Sequence, residues 1–295
     1  MDYLEEVVSR LAAAETFGYH AGWEQATEPV ALAAMALVTH HRETAALPLL
    51  AWLMDRQRID GSVGVDGEQP HPAWPTAWAT LAWHFASASS IADSRFAAAA
   101  KRACAWLLSV QGMMIDQADT LGHDPTIKGW PWVEGTHAWL EPTAMSLLAL
   151  RHTGYDHHER SHAAVNLLFD RLLPDGGCNY GNTFVLGQQL RPHLEPTGLC
   201  LLALAGQADV RGRVAKSIAF LEQELGSETT TISLAYGLLG LAAQGHWPAG
   251  ADQWLASASR RTLARDPAPY KLALVALAAL GESCPLNPGR QLVTS

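Results

Sequence analysis

The chain has 295 residues, 48% of them hydrophobic and only 17% charged, with a net charge of −9. That balance excludes a disordered protein and favours a large buried interior. With no basic tract longer than Arg260-Arg261, it also argues against nucleic acid as a partner, since such binding needs clustered Lys and Arg.

The N-terminal stretch Met1-Asp2-Tyr3-Leu4-Glu5-Glu6 is acidic and amphipathic, unlike a signal peptide. Residues 3–14 place Leu4, Val7, Val8 and Leu11 at helical spacing against Glu5, Glu6 and Arg10. Next comes Thr27-Glu28-Pro29-Val30, opening an almost unbroken apolar run. The pattern returns as Leu140-Glu141-Pro142-Thr143 and as Leu194-Glu195-Pro196-Thr197. A further copy, Trp74-Pro75-Thr76-Ala77, has tryptophan in place of glutamate. Proline suits the first turn of a helix, and a carboxylate there faces the positive end of the helix dipole. Runs without a polar face predict helices buried all round. They are expected over 28–40, 75–86, 142–152, 196–206, 229–243 and 268–280. Amphipathic stripes near 3–14, 46–57, 95–110, 159–172, 210–225 and 250–264 alternate with them. Repetition of this kind indicates a repeat architecture. The expected fold is all-α: one (α/α)6 toroid over 1–284, six inner helices and six outer ones, with 285–295 as a tail.

The loops leading from outer to inner helix are long and rich in Gly, Trp, Asn and His in the first four pairs. Examples are Asp60-Gly61-Ser62-Val63-Gly64, Gly129-Trp130-Pro131-Trp132 and Asp175-Gly176-Gly177-Cys178-Asn179-Tyr180-Gly181-Asn182. In the last two pairs they are short. Long loops of this kind concentrate on functional faces. Cys104, Cys178, Cys200 and Cys284 are widely spaced and read as reduced thiols of a cytoplasmic protein. The longest apolar run, Leu272 to Leu280, is about half of what a membrane span requires.

A buried inner helix, glycine- and aromatic-rich loops and the stretch Gln57-Arg58-Ile59-Asp60-Gly61 resemble the repeats of squalene–hopene cyclases and protein prenyltransferase β-subunits. The segment Trp139-Leu140-Glu141-Pro142-Thr143-Ala144-Met145, continuing to Leu150-Arg151-His152-Thr153-Gly154-Tyr155-Asp156, is similar to the acid segment of class II terpene cyclases. The resemblance implies that Glu141 stands where the family carries its protonating aspartic acid. Trp139 and Pro142 depart from the family pattern, and the neighbouring carboxylate that tunes the family's acid is missing from the segment.

From the residues themselves, Glu141 and Glu195 are the candidate catalytic pair, because two carboxylates in a partly dry site repel and one becomes a usable acid. His193 is placed with them, and His137 precedes Glu141 as His193 precedes Glu195. Each glutamate could instead cap its helix, the reading favoured for Glu28. Trp74, Trp130, Trp132, Trp139, His137, Asn179, Tyr180 and Asn182 are the candidate substrate-binding residues, while Trp52, Trp106 and Trp254 read as helix packing. No metal or cofactor is expected: the Asp-x-Cys zinc pair of the prenyltransferases is lacking, and Asp175, Cys178 and His193 match no zinc spacing. His40-His41 and His157-His158 lie at helix ends or in return loops and read as solvated.

Three functions follow. The first is acid-initiated cyclisation or isomerisation of an isoprenoid or similar apolar ligand, with peripheral membrane contact or a protein partner as further expectations. The second is a non-catalytic toroid binding a lipid or protein. The third is a carbohydrate-active (α/α)6 enzyme, which paired carboxylates and tryptophans also suit.

Overall fold

The computed structural model describes residues 3–69, 71–116, 121–209 and 211–289. Within them lie twelve α-helices: α1 (Tyr3–Ala12), α2 (Thr27–Thr39), α3 (Glu43–Arg56), α4 (Thr76–Ser87), α5 (Ser94–Ser109), α6 (Leu140–His152), α7 (Glu159–Arg171), α8 (Leu194–Ala203), α9 (Arg213–Glu224), α10 (Thr231–Ala243), α11 (Ala251–Arg265) and α12 (Pro269–Ala278). The only strands among them are β1 (Phe184–Val185) and β2 (Gln188–Gln189), a small antiparallel hairpin in the loop before α8.

The apolar runs are the inner helices. In α2 every residue from Thr27 to Val38 is buried, and α6 is buried from Leu140 to His152. Such helices have no polar face to give to water, so they can only sit inside a ring of others. The ring closes: α2 packs on α4, α4 on α6, α6 on α8, α8 on α10, α10 on α12 and α12 back on α2. Gly198 and Gly240 let α8 and α10 approach to backbone contact, for a Cβ on Gly198 would lie 2.2 Å from the Tyr236 carbonyl oxygen.

The outer helices pair differently from the sequence expectation of amphipathic-then-buried units. Each inner helix packs mainly on the outer helix that follows it, as in α2–α3, α4–α5 and α6–α7, because the return loops are short. Among the described residues no α-helix follows α12, and α1 takes that place, lying on α12 and α11 more than on α2. The two ends of the chain thus close the toroid together. Part of the segment expected as a tail from 285 is packed on the toroid: Leu286 is buried, and its carbonyl meets His152 Nε2 at 3.1 Å. Residues 290–295 lie outside the described residues.

Two histidine expectations are corrected as well. His158 caps α7 by accepting the Arg160 backbone N–H, and His40 Nε2 reaches the Ala276 carbonyl. A helix needs partners for its terminal N–H and C=O groups, and these side chains supply or seek them. All four cysteines are buried free thiols. No helix among the described residues is long and apolar enough to cross a membrane.

Candidate functional site

The repeated Pro-Thr of the sequence turns out to be a fastener. The hydroxyls of Thr76, Thr143 and Thr197, at the starts of α4, α6 and α8, accept the backbone N–H of Val63, Trp130 and Cys178 at 2.9, 3.0 and 3.0 Å. Each long loop is thereby tied to the inner helix it feeds. The glycines of the Asp-Gly turns fix the other side. Gly61 and Gly176 have φ of 94° and 103°, and a Cβ there would come within 2.2 Å of the Arg102 carbonyl oxygen and 2.4 Å of that of Lys216. Gln57 completes the first turn, its amide donating to the carbonyls of Gly61 and Ala99. The residues that resemble cyclase repeats therefore build loop geometry. Likewise Arg151 and Asp156 of the cyclase-like segment form a 2.9 Å ion pair, with the arginine also capping the carbonyls of Ala203 and Ala205 beyond α8.

These fastenings bring Glu28, Glu141 and Glu195 together at the starts of α2, α6 and α8. Glu28 and Glu141 are buried and Glu195 is half-buried. Burial, opposed by a hydrogen bond from Tyr19 and reinforced by repulsion from Glu195, pushes Glu28 up to about 7. For Glu141, burial and then repulsion from Glu195 and Glu28 push the carboxyl up to about 8. Burial raises Glu195 too. The capping alternative required hydrogen bonds from backbone N–H groups, which would lower these values. Among the described residues none of the three carboxylates receives one. Tyr19 Oη donates to Glu28 Oε2 at 2.8 Å, and the buried Trp78 indole N–H, without a hydrogen bond of good geometry, faces the same carboxylate.

Beneath the carboxyls lie Tyr236 of α10 and Tyr270 of α12, both phenols pushed up by burial and by the glutamates. Tyr19 packs edge-on against Tyr270 at 5.1 Å. Each of the six inner helices therefore contributes one side chain to a single cluster: Glu28, Trp78, Glu141, Glu195, Tyr236 and Tyr270. Sequence reasoning missed Glu28, Tyr19, Tyr236 and Tyr270. Of these only Glu28 carried a signal, its place in the repeat.

The other expected site residues divide. Tyr180 lies within electrostatic reach of the pair, its phenol raised by burial and by Glu195 and Glu141, and its ring lies 5.1 Å from His193. The backbone bond from Leu140 N–H to the Tyr180 carbonyl holds it against the start of α6. Trp74 and Trp132 pair edge to face at 4.8 Å on the same loop face. Neither His137 nor His193 hydrogen-bonds to a glutamate among the described residues; both rings are exposed. Asn179 serves its own loop, donating to the Arg191 carbonyl and accepting the Tyr180 N–H. Trp130 is a correction: it is 2% exposed, its indole N–H meets the Leu107 carbonyl, and the Arg160 guanidinium covers its face at 4.0 Å. A large ring with its one polar atom satisfied packs best between helices, and that is its place. His137, Trp139 and Asn182 line a side pocket. Among the described residues no group of histidine, cysteine and carboxylate side chains could hold a metal ion, so Asp175, Cys178 and His193 do not gather as one.

No family model and no curated protein matches the sequence. Solved structures do match in shape. A double mutant of Rex8A from Paenibacillus barcinonensis is 13% identical, with 95% of this chain and 93% of that one covered and a TM-score of 0.61. A mutant reducing-end-xylose releasing exo-oligoxylanase complexed with xylobiose is 13% identical over 96% of this chain and 93% of its own, at 0.58. Salmonella α2-macroglobulin reacted with methylamine is 14% identical over 94% of this chain, which spans only 17% of that protein, at 0.54. Likeness at this level of identity establishes the all-α toroid and leaves the chemistry to the site.

Proposed function

We propose that the toroid is a carbohydrate-active enzyme that cleaves a glycosidic bond, with Glu141 as proton donor and Glu195 as the partner carboxylate. The observation that carries this reading is the cluster of three drawn-in glutamates, with Tyr180 beside Glu195 and Glu141. A carboxyl near 8 stays protonated at neutral pH and can give its proton to a leaving oxygen. Glu195, more open to solvent, is the one suited to ionise and act on the opposite side of the sugar. Tyr180, Trp74 and Trp132 offer flat, amphipathic surfaces to a sugar ring. The toroid neighbours caught with xylose and xylobiose support the substrate class. Glu28, held by Tyr19, keeps negative charge close to the pair and so keeps Glu141 protonated.

The test is a panel of xylo-, gluco- and manno-oligosaccharides with products separated by chromatography. Wild type should cleave at least one, while Glu141→Gln and Glu195→Gln should fold normally by circular dichroism and lose turnover. Inert wild-type protein, or an active Glu141→Gln variant, sinks the proposal.

A second reading has two observations in its favour. The buried rings of Trp78, Tyr236 and Tyr270 stand in the same cluster, grouped chiefly around Glu28, an apolar floor that suits protonation of an alkene. The carboxylate neighbour missing from the cyclase-like segment is also provided in space, by α2 and α8. Turnover of an isoprenoid but of no oligosaccharide would select it.

A further inference from the structure

A cavity of about 310 Å³ opens between the start of α10, the last turns of α11 and the start of α12. It lies at the end of the toroid where the inner helices begin, the same end as the glutamates. The connections into α10 and α12 run only over 225–230 and 266–268, so this side of the ring lacks the long loops of the first four pairs. Its size is at the lower end of the ~300–1,000 Å³ that small-molecule sites occupy. The wall is polar almost throughout: among the described residues Ile232 is its one hydrocarbon side chain. Such a wall has little to offer an apolar ligand and suits one that is itself covered in polar groups.

Three cations face the cavity, Arg261, Arg265 and Lys271, against two carboxylates, Glu228 and Asp266. Lys271 Nζ donates to Asp266 Oδ2 at 2.7 Å, and the two compensate each other. Arg261 clamps the loop before α10: its Nη1 donates to the Ser227 carbonyl at 2.6 Å and its Nη2 to that of Thr229 at 2.9 Å. Those acceptors are neutral, so its charge is not balanced. Arg265 is exposed, and its guanidinium has no hydrogen bond or ion pair among the described residues. A cation in the last turn of α11 complements the helix dipole, which accounts for one arginine there. It does not account for two. Residues 261 and 265 are four apart, so they share a face of α11 and repel each other. No carboxylate pairs with either guanidinium among the described residues, and both open on the same cavity.

We infer that this cavity binds a uronate sugar, its carboxylate on Arg265 beside Arg261, and that the oligosaccharide reaching the glutamates therefore carries one. The first half stands on the cavity alone, and the second rests on the glycosidic reading proposed above. The parallel N–H groups of a guanidinium match the two oxygens of a carboxylate. Glu228 disfavours a bare dianion but accepts the hydroxyls of a sugar, and the hydroxyls of Thr230 and Thr231 can donate or accept. One short stretch of chain joins the cavity to the glutamate cluster. Asp266 accepts the Ala21 backbone N–H at 2.8 Å and meets His20 Nδ1 at 2.9 Å. Tyr19, the next residue along, donates to Glu28 and packs on Tyr270, which precedes Lys271 in α12. A sugar chain passing over residues 19–21 connects the two sites.

Glucuronate is the probe, titrated into the protein by calorimetry, with glucose, acetate and inorganic phosphate as controls. A monosaccharide has no glycosidic bond to lose, so binding is read apart from turnover. Glucuronate should bind saturably. Each control should bind about tenfold or more weaker, as loss of a charge-assisted hydrogen bond or of the hydroxyl contacts requires. Arg265→Ala removes an exposed side chain, so the fold should survive, and it should bring glucuronate down to the level of glucose. Glucose binding as tightly as glucuronate would mean no anion recognition, and acetate or phosphate doing so would mean an anion site without sugar recognition. Glucuronate binding unchanged in Arg265→Ala would place it elsewhere. Any of these results, or no binding at all, overturns the inference. For the second half, an oligosaccharide that the protein cleaves is compared with its glucuronate-bearing counterpart. The acidic one should have a kcat/KM higher by about tenfold or more, and Arg265→Ala should erase that preference; equal values overturn this half. Glucuronate binding in a protein that cleaves no oligosaccharide would uphold the cavity and remove the glycosidic reading. Cleavage of neutral oligosaccharides without glucuronate binding would do the reverse.

Discussion

Replacing Glu141 by glutamine removes a carboxyl that the fold moves from an ordinary 4.5 to about 8. The folded value lies above the unfolded one, so between them the native state holds a proton that the unfolded chain has lost. Stability from this group is therefore fully present below about 4.5 and drains away as pH rises through 8. At about 1.36 kcal/mol per unit, 3.5 units give a ceiling of about 5 kcal/mol lost by pH 9. Repulsion from Glu195 and Glu28 supplies part of the shift, and side-chain relaxation or water entry relieves more. A loss of about 2–4 kcal/mol is the expected outcome.

Urea unfolding of wild type and Glu141→Gln, from pH 6.5 to 9, reads the upper part of this loss, a ceiling of about 2 kcal/mol. The window avoids His152, whose imidazole is held down to about 4 by burial. That group costs stability only as pH falls below 6.5. Asp266, held near 2 chiefly by its hydrogen bonds to Lys271, Ala21 and His20 against the effect of burial, is also clear of it. Wild type should weaken steadily with pH while the glutamine variant weakens with a slope smaller by up to one proton. The variant should be the more stable of the two throughout this window, with a gap that widens by up to about 2 kcal/mol between pH 6.5 and 9. Parallel curves would refute the reasoning, because they would mean that Glu141 does not titrate in this range. A wild type that strengthens toward pH 9 would restore the helix-cap reading.

Tyr19→Phe removes the 2.8 Å bond that favours the charged form of Glu28, so the Glu28 carboxyl should titrate above its present value of about 7 when followed by carbon-detected NMR; an unchanged midpoint would show that Tyr19 does not donate to it. Gly176→Ala combines a φ of 103° with a Cβ 2.4 Å from the Lys216 carbonyl oxygen and should cost on the order of 2–4 kcal/mol in denaturant midpoint, whereas a neutral result would mean the loop is not anchored on α9. Thr143→Ala strands the buried Trp130 N–H and should cost about 1–3 kcal/mol, with Thr143→Ser restoring most of it, because the serine hydroxyl can accept the same bond.

The fold was legible because its signal is redundant. Six apolar runs with no polar face can be buried only by each other, and the boundaries of α2, α4, α6 and α12 fall within two residues of those expected. What the sequence could not reveal was which outer helix each run would choose. That depends on loop length and on ring closure, and it put α1 on α12. The site was half legible for a similar reason. Glu141 and Glu195 announce themselves by repeating, and Glu28 repeats as well. Its neighbours do not repeat: Tyr236 lies more than a turn into α10, and Tyr19 arrives from a loop. Only the ring geometry makes them neighbours. Trp130 misled because a tryptophan in a glycine-rich loop reads as a ligand contact, while the Arg160 that covers it comes from another helix.

The cluster's cost is the strongest physical argument that it has a use. Three glutamates drawn from three helices stand within electrostatic reach of one another, in a place where leucine would pack without penalty. Two of them carry shifts equivalent to several kcal/mol each near pH 8, against a total stability for a domain of about 5–15 kcal/mol. They are not recovered as structural bonds, for among the described residues only Glu28 of the three has a hydrogen-bonded partner. Nor do they tie down the loops, a task done by Thr76, Thr143, Thr197 and the Asp-Gly turns. A helix start needs no such group either, since α4 opens on Trp74-Pro75-Thr76 and is equally well buried. What remains distinctive about the glutamates is chemical. Raised to about 7 and about 8, Glu28 and Glu141 hold protons at neutral pH that ordinary surface glutamates have lost.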